Sequence, residues 1–336
     1  MTKSSSLLFL ACASLGSALT LGCGDSGTTS TGGTTSGGSD CAPDAGCPSV
    51  TSDCIAFTDN AGKDDFALRI SHLSISQPAA LTDPTIANLL GKGVNLDYPE
   101  CKAATGDSIF TGDGTFSWIF EFNKTTGKLT AGGAVLEADP TKGYCFVNET
   151  IDGFMVQPFV ADAPIGADGS FEVTDTRDVV VPIYTTPGDP NTVILLPLKG
   201  VRLYDAKVST DNNCIGTYNP DLDPNNLCLA DSTTPQFIDG ASLDGYVTLE
   251  DADAVKVPVL SDQSLCTLLV KDPQYIDDTG KLCKRDANNK IVYEGDWCAG
   301  AAEGDPGTPA TATCKDAVQL KATFAASGAI LRTDCP

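Results

Sequence analysis

The 336-residue chain has a single histidine, His72, only two methionines and two tryptophans, and 21 basic residues against 44 acidic ones. Each scarcity excludes something. One imidazole cannot supply a histidine-rich zinc centre. The most closely spaced cysteines, Cys41 and Cys47, stand wider apart than the C-x₂₋₄-C pairs of zinc motifs. The formal net charge of −23 repels nucleic acid and anionic membrane surfaces, which excludes both as electrostatic partners, while it suits solubility and cation binding. Neither G-x-x-x-x-G-K-[ST] nor a G-x-G-x-x-G between strand and helix occurs, so the glycines cradle no nucleotide phosphate. The one long uncharged apolar run, Leu7 to Leu21, is about 15 residues, short of the roughly 20 that span a bilayer as a helix.

What that run does resemble is a signal peptide. Lys3 supplies a positive n-region, Leu7 to Leu21 has the size of an h-region, and Leu19-Thr20-Leu21-Gly22-Cys23 follows. This block resembles the lipobox of bacterial lipoproteins, with Thr20 where the family usually has leucine. Cys12, after Leu10-Ala11, is a competing site that would leave a much shorter apolar run. The resemblance implies removal of residues 1–22 and lipid attachment at Cys23, which would anchor the chain to the membrane. Because Gly24 and not an aspartate comes next, it implies the outer membrane, at either its periplasmic face or the cell surface. Residues 24–40 (GDSGTTSTGGTTSGGSD) contain no large apolar side chain and cannot offset the cost of ordering a backbone. A coil of this composition spans about 20–24 Å, the property a tether needs. The expected organisation is a signal peptide at 1–22, a lipidated cysteine and tether at 23–53, and an ectodomain at 54–336.

Fourteen cysteines, less Cys12 and Cys23, leave Cys41, Cys47, Cys54, Cys101, Cys145, Cys214, Cys228, Cys266, Cys283, Cys298, Cys314 and Cys335. An even number in an exported chain predicts up to six disulfides. Local pairing would join Cys214 to Cys228 and neighbours among Cys266 to Cys335.

Period-two alternation dominates the ectodomain and predicts an all-β fold, a sandwich or barrel of many short antiparallel strands. Phe66, Leu68 and Ile70 alternate, then Leu73 and Ile75 continue in the opposite phase, which places a bulge near Ser71-His72. Phe116, Trp118, Phe120 and Phe122 form an unbroken alternation. Further strands are expected at 129–137, 143–148, 154–160, 170–175, 178–184, 192–198, 200–208, 245–250, 265–270, 290–294 and 316–333. Residues 84–92 read as a short helix. Turns are expected at Gly112-Asp113-Gly114, Asp168-Gly169, Pro187-Gly188-Asp189-Pro190 and Asp278-Thr279-Gly280. Residues 271–315, polar and holding Cys283, Cys298 and Cys314, read as long disulfide-pinned loops.

Catalytic motifs are few. Gly106-Asp107-Ser108 resembles the nucleophile block of GDSL-type lipases and esterases, a family whose base is a histidine near the C-terminus. No histidine follows His72, so that base is missing and a turn is the better reading. His72 itself, between serines on a strand, reads as a hydrogen-bonded sheet residue. Strand-borne acids such as Glu121 and Glu137, near Trp118 as a sugar platform, would suit a carboxylate-dependent polysaccharide hydrolase. Trp297 is a second candidate platform. For a metal, calcium is the best match. Asp221, Asp223 and Asn225 carry the D-x-D-x-N spacing that opens an EF-hand loop, although Asn226 replaces its glycine and Ser232 its closing glutamate. Asp244, in Asp244-Gly245-Tyr246-Val247, resembles the centre of such a loop; the alternative is a pair of Asx turns. These features favour a surface binding, adhesion or structural module with a glycan or envelope-protein partner and no catalytic residues. The carboxylate hydrolase is the alternative.

Overall fold

The computed structural model describes Cys54 and residues 56–82, 116–135, 142–184, 192–223 and 234–335. The fold is all-β. Eight strands make its frame: β1 (Asp65–Gln77), β2 (Trp118–Asn123), β3 (Lys128–Gly133), β4 (Phe159–Asp162), β5 (Ser170–Tyr184), β6 (Val193–Lys207), β7 (Ala241–Thr248) and β8 (Ala317–Ala329). Their order in the sheet is β4-β3-β2-β1-β8-β7-β6-β5, so each strand lies beside its neighbours in sequence and β8 closes onto β1. Every adjacent pair is joined by an antiparallel ladder except β4 and β5, which pack side by side. The sheet is thus nearly closed into an up-and-down barrel, which decides between the two expected all-β architectures.

Pro182 of β5 has no N–H to donate, and prolines are confined to sheet edges for that reason. Its ring lies against β3, where a Cβ on Gly133 would come within 2.5 Å of it, so glycine lets β3 and β5 approach closely there. On the other flank, β7 stops pairing at Ala241–Phe324, and Cys214–Ile215 takes over the exposed edge of β8 through Ser327 and Ala326.

The bulge expected in β1 is present: the register against β8 shifts between Ile70 and His72. Because strand side chains alternate faces, one extra residue reverses the phase. Phe66, Leu68 and Ile70 point inward before it, Leu73 and Ile75 after it, while His72 and Ser74 stay outside. Similar shifts occur within the β5–β6 pair around Val173 to Val179. The segments 170–175 and 178–184 are therefore one strand, as are 192–198 and 200–208. Gly200, at φ +56°, absorbs the second irregularity.

Other expectations are corrected: residues 143–148 and 290–294 carry only isolated bridges, and 154–160 is split between Phe154–Val156 and β4. Residues 265–270 form a helix, α2 (Leu265–Val270), instead of a strand. A short run that is apolar on every side has no period to distinguish the two, and the Ser264 side chain decides by accepting a hydrogen bond from Thr267 N–H as an N-cap. Residues 245–250 split between β7 and a second helix, α1 (Leu249–Ala254), capped likewise by Thr248. Cys214 pairs with Cys54, not with its neighbour, and Cys335 with Cys145. Cys266–Cys283 and Cys298–Cys314 are local bridges, and they pin the loops of 271–315. Cys23, Cys41, Cys47, Cys101 and Cys228, the 84–92 segment and the turns at 112–114 and 187–190 lie outside the described residues. Among those described, no helix is long and apolar enough to cross a membrane.

The barrel interior divides into two halves. Around Phe66, Phe122 and Phe171 it is tightly filled. Phe66 stacks on Phe122 with ring centroids 5.1 Å apart, and Phe171 meets Phe122 edge-on at 5.0 Å. Pairs of this kind contribute about 0.5–1.5 kcal/mol beyond their buried area. Leu68, Leu129, Ala131 and Ala161 fill the gaps and are fully buried. The other half is not filled.

Candidate functional site

Beyond the aromatic plug lies an internal cavity of about 130 Å³. Its walls come from the later half of β1 (Ile70, Leu73, Ile75), from Phe116, Trp118 and Phe120, and from Phe159 of β4. Opposite these stand Val179, Val181 and Ile183 of β5, Ile194, Leu196 and Leu198 of β6, Leu243 of β7, and Leu320 and Ala322 of β8. Across this end of the barrel runs a cap made of α1, a 3₁₀ turn (Pro258–Leu260) and α2, which contributes Val257, Leu260, Leu265 and Leu268. Of the inward residues of β1, Phe66 joins the plug, while Ile70 just before the bulge and Leu73 and Ile75 after it face the void.

The wall is aliphatic and aromatic throughout, with Arg202 its one charged residue among those described. Arg202 brings no free charge to it. Its guanidinium gives two hydrogen bonds to the Asp244 carboxylate, at 2.6 and 2.7 Å, and lies over the Tyr204 ring, with the side chain half exposed to solvent. These bonds hold the guanidinium above even its ordinary pKa. Leu73, Ile75, Phe159, Ile183, Ile194, Leu196, Leu243, Leu260 and Leu268 are only half-buried although they line the cavity, so it reaches the surface.

Such a wall offers water few of the two to four polar partners it needs. The cavity's size is close to that of an engineered apolar void of about 150 Å³ that takes up benzene. Eight-stranded barrels have an interior that side chains can just fill, or that holds one small ligand. This barrel does the first in one half and leaves room for the second in the other.

The residues singled out from sequence are placed as follows. His72 is on the outer face of β1, its Nδ1 2.6 Å from Asp239 Oδ1, and its ring stacks on Phe237. Thr323 Oγ1 donates to the other oxygen of Asp239 at 2.5 Å. The acid thus stands between hydroxyl and imidazole, whereas a nucleophilic triad needs the hydroxyl on the imidazole. Trp118 borders the cavity, whose described wall offers no carboxylate. Glu121 is half-buried in β2, and burial, with Asp65 nearby, raises its carboxyl pKa. The Trp297 indole donates to Pro306 O. Asp221 and Asp223 are exposed in the loop after Thr217–Tyr218, and Asp244 is buried and held by Arg202. Asn225, Glu137 and the Gly106-Asp107-Ser108 block lie outside the described residues. Among the described residues, two groups combine carboxylate and cysteine at metal-binding distances, Asp253 with Cys266 and Cys283, and Asp316 with Cys298 and Cys314. In both, the cysteines form a disulfide, which leaves no thiolate to ligate.

Sequence reasoning missed the cavity. The only signal was the run of large aliphatic residues at inward positions of 179–183 and 194–198, which alternation alone reads as core. No protein-family model, curated protein or solved structure matches the chain.

Proposed function

We propose that the chain is an exported, lipid-anchored envelope protein whose barrel binds a small apolar molecule. The observation that carries the binding reading is the cavity itself, a void of about 130 Å³ with an aliphatic and aromatic wall that reaches the surface. The signal-peptide and lipobox resemblance at 1–23 and the tether at 24–40 support the address, and the disulfides suit an oxidising compartment. The expected polysaccharide hydrolase needs two acids flanking a cleft, and the described wall supplies none. A glycan likewise needs converging polar groups, and draws no support from this site.

The test is a melting curve with and without benzene, on the whole chain carrying Cys23→Ser so that no acyl group is attached. A ligand that binds only the native state raises the melting temperature. The expected result is a rise that saturates with benzene concentration. In Ala322→Phe, whose added ring would occupy the void, the rise should vanish while the unliganded melting temperature holds or increases. Overpacking a filled core instead costs about 1–3 kcal/mol. A benzene-independent melting temperature, or a strongly destabilised Ala322→Phe, would sink the reading.

A further inference from the structure

We propose that the cavity selects uncharged ligands and excludes anionic ones of the same carbon skeleton; this rests on the binding reading above. Three observations point to it. First, the described wall has no hydrogen-bonding side chain besides Arg202 and the Trp118 indole, so a charged headgroup drawn inside would exchange its full hydration shell for at most one N–H. Burying an ion in this way is far costlier than burying a neutral group. Second, the one cation that could pair with a carboxylate is already engaged. Asp244 holds the Arg202 guanidinium through two hydrogen bonds on the solvent side, with Tyr204 beneath it. An incoming carboxylate would have to displace an intramolecular partner that is already oriented. The next cation on this flank, Lys199, is likewise shared between Asp178 at 3.4 Å and Asp251 at 3.8 Å. Third, the net charge of −23 gives the molecule a negative field that opposes the approach of anions.

The same reasoning orders cations between the two. The described wall gives an ammonium no carboxylate, only the ring faces of residues such as Phe116, Trp118 and Phe120, while the acidic surface attracts it to the rim. The expected order for ligands of one chain length is therefore alcohol, then amine, then carboxylate.

The experiment titrates the whole chain carrying Cys23→Ser with hexanol, hexylamine and hexanoate at neutral pH and physiological salt, following each ligand by saturation-transfer NMR. Hexanol should bind at least tenfold more tightly than hexanoate, with hexylamine between them. Hexanoate or hexylamine binding as tightly as hexanol would overturn the selectivity while leaving the binding reading intact. Failure of all three ligands to bind would overturn the binding reading, and the selectivity with it.

Discussion

Asp211 and Asn213 stand where the first described residues meet the loop after β6, and their contacts are dense. The Asp211 carboxylate accepts from the Ser209 hydroxyl, from Asn213 N–H at 3.1 Å and from the Asn213 amide at 3.0 Å. Asn213 Oδ1 in turn accepts from Asn60 N–H at 2.7 Å, and the adjacent Cys214 is bonded to Cys54. Partial burial on its own would raise the Asp211 pKa. The hydrogen bonds from Ser209 and Asn213 outweigh it and hold the carboxyl below its ordinary 3.8. A carboxyl depressed in the folded state contributes stability that is present above its unfolded pKa and lost as pH falls through the folded one. Asp211→Asn should therefore lower stability at pH 7 and show a shallower loss than the parent on titration below about pH 4, where the unfolded-state carboxyl also protonates. Urea unfolding along a pH series measures both. Parallel acid limbs would show that Asp211 is not a source of the acid sensitivity.

Among the elements, the cap over the cavity depends on one buried carboxylate. Asp253, on α1, accepts from Ser264 Oγ at 3.0 Å, from Cys283 N–H at 2.8 Å and from Arg285 at 2.8 Å. It therefore joins α1, the N-cap of α2 and the loop tied back by Cys266–Cys283. Glu250 meets the same arginine at 2.7 Å but is more than half exposed. Removing a buried acceptor leaves its donors unsatisfied, whereas an exposed ion pair contributes little. Asp253→Ala should cost about 2–4 kcal/mol and Glu250→Ala under about 1 kcal/mol, read from denaturant midpoints. Equal losses would contradict the assignment of Asp253 as the clamp.

These elements also show what the sequence could and could not convey. The phase reversal at Ser71-His72 was legible because a bulge changes a local pattern, and the register of β1 against β8 shifts there. The helix at 265–270 was not, because Leu265 to Val270 is apolar on all sides and its deciding contact is one hydroxyl. Asp244 read as a calcium ligand from its neighbours in sequence, whereas its carboxylate is held by Arg202 on β6. That pairing depends on the register between strands more than forty residues apart. The cavity depends on more still. Whether inward aliphatic side chains meet or leave a void is set by the number of strands and by how the sheet closes.

At the scale of the molecule, the disulfides fall into two classes that should differ in their effect on stability. Cys54–Cys214 and Cys145–Cys335 join positions 160 and 190 residues apart, while Cys266–Cys283 and Cys298–Cys314 close loops of 17 and 16. The long pair fastens the chain on either side of the frame: Cys54 precedes β1, and Cys335 follows β8. In the chain-entropy account, a cross-link stabilises by restricting the unfolded chain, and the effect grows with the logarithm of loop length. Going from the Cys298–Cys314 loop to the Cys145–Cys335 loop adds about 2 kcal/mol on that scale. Both half-cystines of the long bridge lie beside structure that would remain: Tyr144 pairs with Leu331, and Arg332 N–H bonds Tyr144 O. The native fold can therefore keep its shape without the bond, so the loss falls mainly on the unfolded side. The double variant Cys145→Ser with Cys335→Ser should unfold at lower denaturant than Cys298→Ser with Cys314→Ser, by about 2 kcal/mol in stability. Its denaturant dependence should also be steeper, since an uncrosslinked unfolded chain exposes more surface. Equal midpoints with equal slopes would mean that the unfolded chain stays compact without the long bridge. The barrel's stability would then rest on its core and cap, not on the bond that ties its end back to Cys145.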